Sequence, residues 1–283
     1  MEKAIRKYWP VFVLPTFAAF AIGFIWPFLW GIYLSFCKFQ TLKKVEFVGI
    51  SNYLKVFQDA SFVHAFGFTA LFTLVSTVSI NVLAFVVAML LTRKVRGTNF
   101  FRTIFFMPNL IGGIVLGYIW QSLLNGLLSK LGWQLLALSA TEGFWGLVIL
   151  MGWQQIGYMM IIYIAGLQND SPDLIEAAAI DGATSWQILR NVKIPMVMPS
   201  ITICTFLTLT NGFKMFDQNL SLTGGEPAKQ SQLLALNIYD TFYARSGPQW
   251  KGIGQAKAVV FFLIVVIIAL VQLRATTSKE VQQ

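Results

Sequence analysis

The sequence predicts an all-α membrane protein with six transmembrane helices. Hydrophobic residues make up 56% of the 283 residues and charged residues only 12%, whereas soluble domains carry about 25% charged residues. The apolar residues are collected in uncharged blocks, and a helix of about 20 residues crosses the hydrocarbon layer. Because a transmembrane barrel would show short segments of alternating polarity, helices are the structure that satisfies the backbone of these blocks in lipid.

Six blocks are candidates for the membrane spans. They cover residues 8–37, 60–92, 103–129, 143–169, 194–213 and 258–273. The first is longer than the apolar region of a signal peptide and has no clear small-residue cleavage site, so we expect a retained helix. The last is short, and we expect Lys257 and Arg274 at its ends to reach toward the two membrane interfaces. We divide the chain into an N-terminal helix with the first outer loop, residues 1–59, and a five-helix core, residues 60–283.

Basic residues set the predicted orientation. Six spans place both termini on one side, and a dense basic cluster between the second and third blocks marks that side as cytoplasmic. The cluster consists of Arg93, Lys94, Arg96 and Arg102. The remaining basic residues lie in loops on both sides without forming one basic face, so the net charge of +9 favours membrane lipid over nucleic acid as the partner. We therefore predict a multi-pass protein of a bacterial-type inner membrane.

The polar segment 171–195, between the fourth and fifth blocks, predicts two short helices. Ser171 is a natural N-cap for the first helix, and Gly182 is placed to close it. Small residues on the surface of this helix allow another protein to approach closely. The pattern alone fits both an amphipathic interfacial helix and a docking element.

The second helix of the segment begins near Thr184 or Ser185, either of which can cap it. Pro195 has no backbone N–H, and it disfavours a helical conformation of the residue before it. We therefore expect an extended Ile194 and a helix that ends there, before the fifth span begins.

The same segment contains acidic and small residues followed by a proline, in the order Glu176-Ala177-Ala178, Asp181-Gly182-Ala183 and Ile194-Pro195. It resembles the EAA loop of importer permeases in the ATP-binding cassette superfamily, and the length of the match makes chance agreement unlikely compared with a lone glycine motif. The resemblance implies a type I importer permease fold in which this loop is the cytoplasmic coupling helix that inserts into the ATPase subunit. The ATPase-coupling residues would be Glu176, Ala177, Ala178, Asp181, Gly182 and Ala183.

Three further stretches resemble the carbohydrate, maltose-type branch of these permeases, and in particular the first of its two paired subunits. They are residues 105–109, 165–168 and 222–227. This resemblance implies a heterodimer with a second homologous permease, two cytoplasmic ATPase subunits, an extracytoplasmic solute-binding protein and a sugar substrate. One departure is Lys214, because the maltose-type proteins carry polar neutral residues near this level. The chain also lacks the extra helices and large insertion of the maltose permease itself.

Polar residues near the end of the fifth block predict a path for solute. Ionisable groups inside a bilayer are costly and usually face a bundle interior or a water-filled path, which draws attention to Lys214 and Asp217. On a continuous helix Asn211, Lys214 and Gln218 would share one stripe. The alternative interpretation is a Lys214–Asp217 ion pair that only terminates the span.

The family resemblance extends this site to two other spans. Sugar-contacting residues of the maltose-type proteins lie on the helix that corresponds to the fifth span, and on the third and fourth spans. The matching positions here are Asn109 and Gln154 or Gln155. Gly112 and Gly113 permit close backbone approach, either in a gating bundle or in ordinary small-residue packing.

The sequence predicts no catalytic, metal or cofactor site in this chain. It contains no Gly-Lys-Ser or Gly-Lys-Thr phosphate loop, so another chain must hydrolyse ATP. ATP and magnesium would be bound by the partner ATPase. His64 has no second histidine or carboxylate in its motif, and we interpret it as structural. Cys37 and Cys204 lie in apolar surroundings, and we interpret them as buried thiols.

Other classes of function stay open from the sequence. A self-sufficient secondary carrier would show repeated halves and a coupling-ion site in the membrane. An importer permease for another polar solute would share the fold. A membrane scaffold that does not transport could bind a cytoplasmic partner through the segment 171–195.

Overall fold

The computed structural model describes residues 2–93, 96–168 and 172–278, and these residues are mainly helical. The first part of the chain contains α1 (Glu2–Phe20), a π-helical turn (Ala21–Ile25), α2 (Trp26–Ser35), β1 (Cys37–Thr41), β2 (Lys44–Phe47), α3 (Ser51–Gln58), α4 (Ala60–Leu91), α5 (Thr98–Phe106), a 3₁₀ turn (Met107–Leu110) and α6 (Gly113–Lys130). The strands β1 and β2 pair antiparallel in a hairpin within the predicted first outer loop.

The second part of the chain is helical throughout its regular elements. It contains α7 (Ala140–Gln168), α8 (Pro172–Ile180), α9 (Ser185–Ile188), a π-helical turn (Leu189–Lys193), α10 (Ile194–Met196), α11 (Met198–Lys214), α12 (Asp217–Leu222), α13 (Leu234–Tyr239), a further π-helical turn (Asp240–Ala244) and α14 (Pro248–Thr277). Contacts divide the chain into two units, one of residues 1–60 with 238–262 and the other of residues 61–237 with 263–283.

Candidate spans in the structure agree with the predicted number of six. Among the residues that the structure describes, four helices are long and apolar enough to cross a membrane, and the number rises to six if each of two bent helix pairs is counted as one span. The third and fifth spans are the bent ones, with angles of 103° and 70°. The apolar blocks did not indicate these angles, because hydrophobicity reports burial in lipid but not the direction of the backbone.

The bend in the third span has a local backbone cause. Ile111 and Gly112 are extended, with ψ angles of 130° and 138°. Pro108, which precedes them, cannot donate a backbone hydrogen bond, and α5 gives way to a 3₁₀ turn at Met107. The helix restarts as α6 at Gly113, so the span consists of two helices joined by an extended link.

Within the first unit, Lys257 of α14 is fully buried. Its Nζ atom lies 2.8 Å from Oδ2 of Asp59 and donates a hydrogen bond of 2.8 Å to Oγ1 of Thr241. The expectation that Lys257 reaches toward a membrane interface is therefore wrong. The helix α14 starts at Pro248, well before the apolar block, and the ion pair neutralises the buried lysine.

The core of the second unit is built around α7, the most buried of the four unbroken candidate spans. Tyr163 of α7 donates a 2.6 Å hydrogen bond to Oδ1 of Asn81, whose Nδ2 donates to Oγ1 of Thr208 at 2.9 Å. At Gly157 the helix crosses the third span so closely that a Cβ atom would overlap the carbonyl of Phe105. Only glycine is compatible with this backbone contact.

The two cysteines and the histidine have structural environments. Cys37 and Cys204 are free and buried, which confirms the interpretation as buried thiols. A ring nitrogen of His64, Nε2, lies 3.0 Å from the carbonyl oxygen of Gln230. The ring of His64 also stacks on Phe68, with the centroids 6.2 Å apart. These contacts agree with the structural role proposed for His64.

Candidate solute path and coupling segment

The fifth span is interrupted at the predicted solute path. The helix α11 ends at Lys214, Met215 has an extended ψ of 113°, and α12 begins at Asp217. Met215 is only 5% exposed and packs in the hydrophobic core of the second unit. The prediction of one continuous stripe through Asn211, Lys214 and Gln218 is therefore wrong. The backbone leaves the helical path at Met215, whose side chain packs into the core, and Gln218 lies on a separate helix.

The interruption brings one predicted pair of amides together. Gln218 Nε2 donates a hydrogen bond of 2.8 Å to Oε1 of Gln154, and Gln154 Nε2 donates to the carbonyl of Ile111 at 3.2 Å. Gln154 is 8% exposed. These two hydrogen bonds connect the fourth span to the extended link in the third span and to the start of α12.

A second pair lies one residue further along α7. Asn211 Nδ2 donates to Oε1 of Gln155 at 3.1 Å, and both residues are partly buried. An amide side chain offers both donors and an acceptor, so each pair can exchange its mutual hydrogen bond for one to a hydroxyl group. Each pair therefore offers donors and acceptors of the kind that bind a neutral, hydroxyl-rich molecule.

Lys214 and Asp217 are both exposed and lie on opposite sides of the break. Neither forms an ion pair with a residue in the described parts of the chain. The alternative interpretation, a Lys214–Asp217 ion pair, is therefore not present in this structure. Asn109 is partly buried in the 3₁₀ turn that precedes the link, next to the buried Pro108.

Backbone groups of the third span complete this site, and the side-chain patterns did not reveal them. The carbonyl of Ile111 accepts from Gln154. A Cβ atom at Gly113 would lie 2.8 Å from Cβ of Asp217 and 3.0 Å from the amide of Gln218. In the sequence, only the glycine pair at 112 and 113 indicated this contact, since a missing side chain permits the close approach of α6 to α12.

The coupling segment has the predicted first helix, α8, with its end at Gly182. Gly182 has a φ of +78°, which favours glycine. Its N–H bonds to the carbonyl of Ala179 at 3.1 Å, and the N–H of Ala183 bonds to the carbonyl of Ala178 at 3.0 Å. These two bonds are the Schellman pattern of a helix C-terminus. The predicted cap Ser171 lies outside the described residues.

The second helix of the segment is capped by Thr184, one of the two predicted candidates. Thr184 and Gln187 form a reciprocal capping box, in which the N–H of Thr184 donates to Oε1 of Gln187 at 2.8 Å. The expected end at Ile194 is wrong, since Ile194 is helical with φ of −60° and ψ of −47°. The π-helical turn before it accommodates the missing N–H of Pro195, and the bend follows at Val197.

The segment presents both acidic and apolar groups to its surroundings. Of the motif residues, Glu176, Ala177, Asp181 and Gly182 are exposed, and Ala178 and Ala183 are partly exposed. Large apolar side chains of the segment are exposed as well, with Leu174 at 53%, Ile180 at 85% and Trp186 at 67%. Exposed apolar residues clustered on a polar loop are typical of a protein interaction site.

Known proteins resemble this chain over its whole length. The model of a family described as "Binding-protein-dependent transport system inner membrane component" matches residues 80–276. A probable starch degradation products transport system permease protein of Thermoanaerobacterium thermosulfurigenes, AmyD, is 44% identical over 282 residues, covering 97% of this chain and 95% of AmyD. The multiple sugar-binding transport system permease protein MsmF of Streptococcus mutans is 33% identical over 291 residues, and the match covers 99% of this chain and 99% of MsmF.

A solved structure has the same fold. A chain of a bacterial ABC transporter involved in the import of the acidic polysaccharide alginate superposes with a TM-score of 0.81, at 19% identity and with 98% of each chain covered. At this identity the likeness concerns the fold alone.

Proposed function

The chain belongs to the inner membrane components of binding-protein-dependent transport systems, the permease subunits of ATP-binding cassette importers, and we propose that it forms one half of the translocation path for an oligosaccharide. The observation that carries the proposal is the pair of amide contacts where the third, fourth and fifth spans meet. Sugar hydroxyls match such amides as both donors and acceptors. Relatives named for starch degradation products and for multiple sugar binding support this solute class.

In the proposed path, sugar hydroxyls replace the mutual hydrogen bonds of the two amide pairs. Gln154 and Gln155 are neighbours on α7, whereas their partners Asn211 and Gln218 lie on opposite sides of the break in the fifth span. Movement of one half of that span therefore opens one pair independently of the other. Alternating access would use this independence to bind the sugar on one side and release it on the other.

Partner subunits complete the importer in this proposal. A second homologous permease supplies the other half of the path, and an extracytoplasmic solute-binding protein delivers the sugar. Two cytoplasmic ATPases bind ATP and magnesium, and α8 with the following capped turn docks into them as the coupling helix. We assign no catalytic residue and no cofactor to this chain.

Transport by the reconstituted complex tests the proposed function. The chain is purified with the subunits that copurify with it and placed in proteoliposomes with the solute-binding protein and labelled starch-derived oligosaccharides. We expect uptake that requires ATP on the ATPase side. Uptake driven by a proton or sodium gradient without ATP would instead indicate a secondary carrier, and ATP-driven uptake of a non-sugar solute alone would overturn the sugar assignment.

The amide pairs yield a prediction for uptake. Asn211→Ala removes the hydrogen bond that Asn211 makes to a sugar hydroxyl in the proposed path, and the unpaired hydroxyl costs about 1–3 kcal/mol, which corresponds to roughly a tenfold loss or more in affinity or uptake. The assembled complex, including its ATPases, should still be recovered. Gln134→Ala, an exposed amide outside the path, is the matched control and should transport normally. Equal uptake by Asn211→Ala and this control would contradict the assignment.

The same assay applies to Lys214. Lys214→Ala is expected to impair uptake without loss of the complex, because an exposed cation beside the amides contributes to the path. The double change with Asp217→Asn separates this role from an ion pair that forms in another conformation. Normal transport by the double variant, together with impaired transport by Lys214→Ala, would assign the pair to structure.

The orientation of the chain in the membrane is also a proposal. Positions 98 and 183 are placed in the cytoplasm and positions 50 and 235 outside, with both termini cytoplasmic. Single cysteines at these positions, in a background with Cys37→Ala and Cys204→Ala, can be labelled in whole cells with an impermeant maleimide. We expect reaction at positions 50 and 235 alone, and reaction at position 183 would reverse the orientation.

A further inference from the structure

An apolar groove lies between the end of α6 and the start of α7, away from the amide pairs. It has a volume of about 390 Å³ and is open on one side. Leucines 124, 127, 128 and 131 form one wall, and Trp145 and Ile149 contribute to the other. In the proposed orientation this groove opens at the outer level of the membrane.

Glu142 is the single charged residue among those that line the groove. Its Oε2 atom is buried and has no hydrogen-bond partner among the residues that the structure describes. A buried acceptor without a partner is costly, and more so when it belongs to a carboxylate. The groove therefore combines apolar walls with one unpartnered carboxylate oxygen, which a cationic N–H donor would satisfy.

We propose that this groove binds a phospholipid with a primary-amine headgroup, such as phosphatidylethanolamine. An acyl chain occupies the leucine-lined part of the groove, and the ammonium group of the lipid donates a hydrogen bond to Glu142. The ammonium provides the opposite charge together with N–H donors, which strengthens the hydrogen bond. The proposal concerns the membrane partner of the permease and does not depend on which solute is transported.

The surroundings of Glu142 favour this occupant. Trp133 and Trp145 both line the groove and are exposed by 63% and 51%, and tryptophan is enriched at the headgroup level of membranes. Lys130, the last residue of α6, is exposed and precedes the groove residue Leu131, so a cation is available for the lipid phosphate.

Lipid retention tests the proposal. The complex with its copurifying subunits is placed in nanodiscs containing phosphatidylglycerol mixed with either phosphatidylethanolamine or phosphatidylcholine, and retained lipid is counted by native mass spectrometry. Phosphatidylcholine has the same charges but no N–H donor. We expect about tenfold stronger retention of phosphatidylethanolamine. Equal retention of the two lipids would overturn the proposal.

Three variants locate the site. Glu142→Gln is expected to lose the preference for the amine, and Leu127→Trp is expected to fill the groove, since Leu127 is 54% exposed. Glu46→Gln removes an exposed carboxylate of the outer hairpin and should retain the wild-type preference. An unchanged preference in Glu142→Gln would contradict the site. Failure of Leu127→Trp to assemble would count against it too, because the groove would then belong to a subunit interface.

Discussion

Exchanging Glu176 for Lys, or Gly182 for Val, is expected to abolish ATP-driven uptake while the chain still inserts in the membrane. Glu176 is exposed on α8, so its replacement reverses a charge on the proposed docking surface without disturbing a core. Gly182 has a φ of +78°, where an L side chain costs about 1–2 kcal/mol. Valine there would redirect the turn between α8 and the capped helix that follows.

Measurement of this effect requires uptake and copurification together. ATPase recovered with the affinity-tagged permease should fall in both variants, and uptake should fall with it, whereas the amount of permease in the membrane should stay constant. Glu46→Lys makes the same charge change on the outer hairpin and should leave uptake intact. If both coupling variants retained normal ATPase and normal uptake, the coupling assignment would be wrong.

Asp59→Asn is expected to destabilise the chain more than any surface change. It leaves Lys257, which is fully buried, without the carboxylate at 2.8 Å. Removing one partner of a buried ion pair costs about 3–5 kcal/mol. The Arg245 guanidinium, 3.7 Å from the same carboxylate, would then face Lys257 without the intervening negative charge. We expect a clear fall in the temperature at which the solubilised protein loses its structure.

A second change can restore much of this loss. Lys257→Met combined with Asp59→Asn removes both charges and keeps the apolar stem, so the double variant should be more stable than Asp59→Asn alone. The exposed pair Lys38–Glu46, 3.7 Å apart, is the control, and Glu46→Gln should change stability by less than about 1 kcal/mol. A melting temperature of Asp59→Asn equal to that of Glu46→Gln would contradict the buried-pair argument.

Membrane spans could be predicted from the sequence because hydrophobicity is a local property of each block. The bends in two of them could not. The extended backbone at Ile111 and Gly112, where the third span bends, and at Met215, where α11 ends, depends on packing against other helices, as the buried position of Met215 illustrates. The buried position of Lys257 could not be predicted either, because its partner Asp59 lies 198 residues away in the chain. Without a known partner, a charge at the end of an apolar block suggests a position at the membrane interface.

The sequence was enough to name individual residues as candidates for the solute path, but it did not predict their hydrogen-bond partners. Intramembrane polarity and family resemblance together selected residues on three spans. The contact Gln154–Gln218 involves a residue beyond the break in the fifth span, and the contact Asn211–Gln155 depends on the packing of α11 against α7, so a helical stripe could not predict either. The role of the Ile111 carbonyl as an acceptor could not be predicted from a pattern of side chains, because it is a backbone group. The cap at Thr184 and the close at Gly182 were predictable because both follow from local backbone chemistry.

The crossing at Gly157 has a consequence for how the bundle moves. With no side chain between α7 and the carbonyl of Phe105, the two backbones touch directly, and sliding one past the other would force main-chain atoms into overlap. Rotation about the contact point carries no such penalty. We therefore expect α5 and α7 to move relative to each other by rotation about this contact rather than by sliding past it.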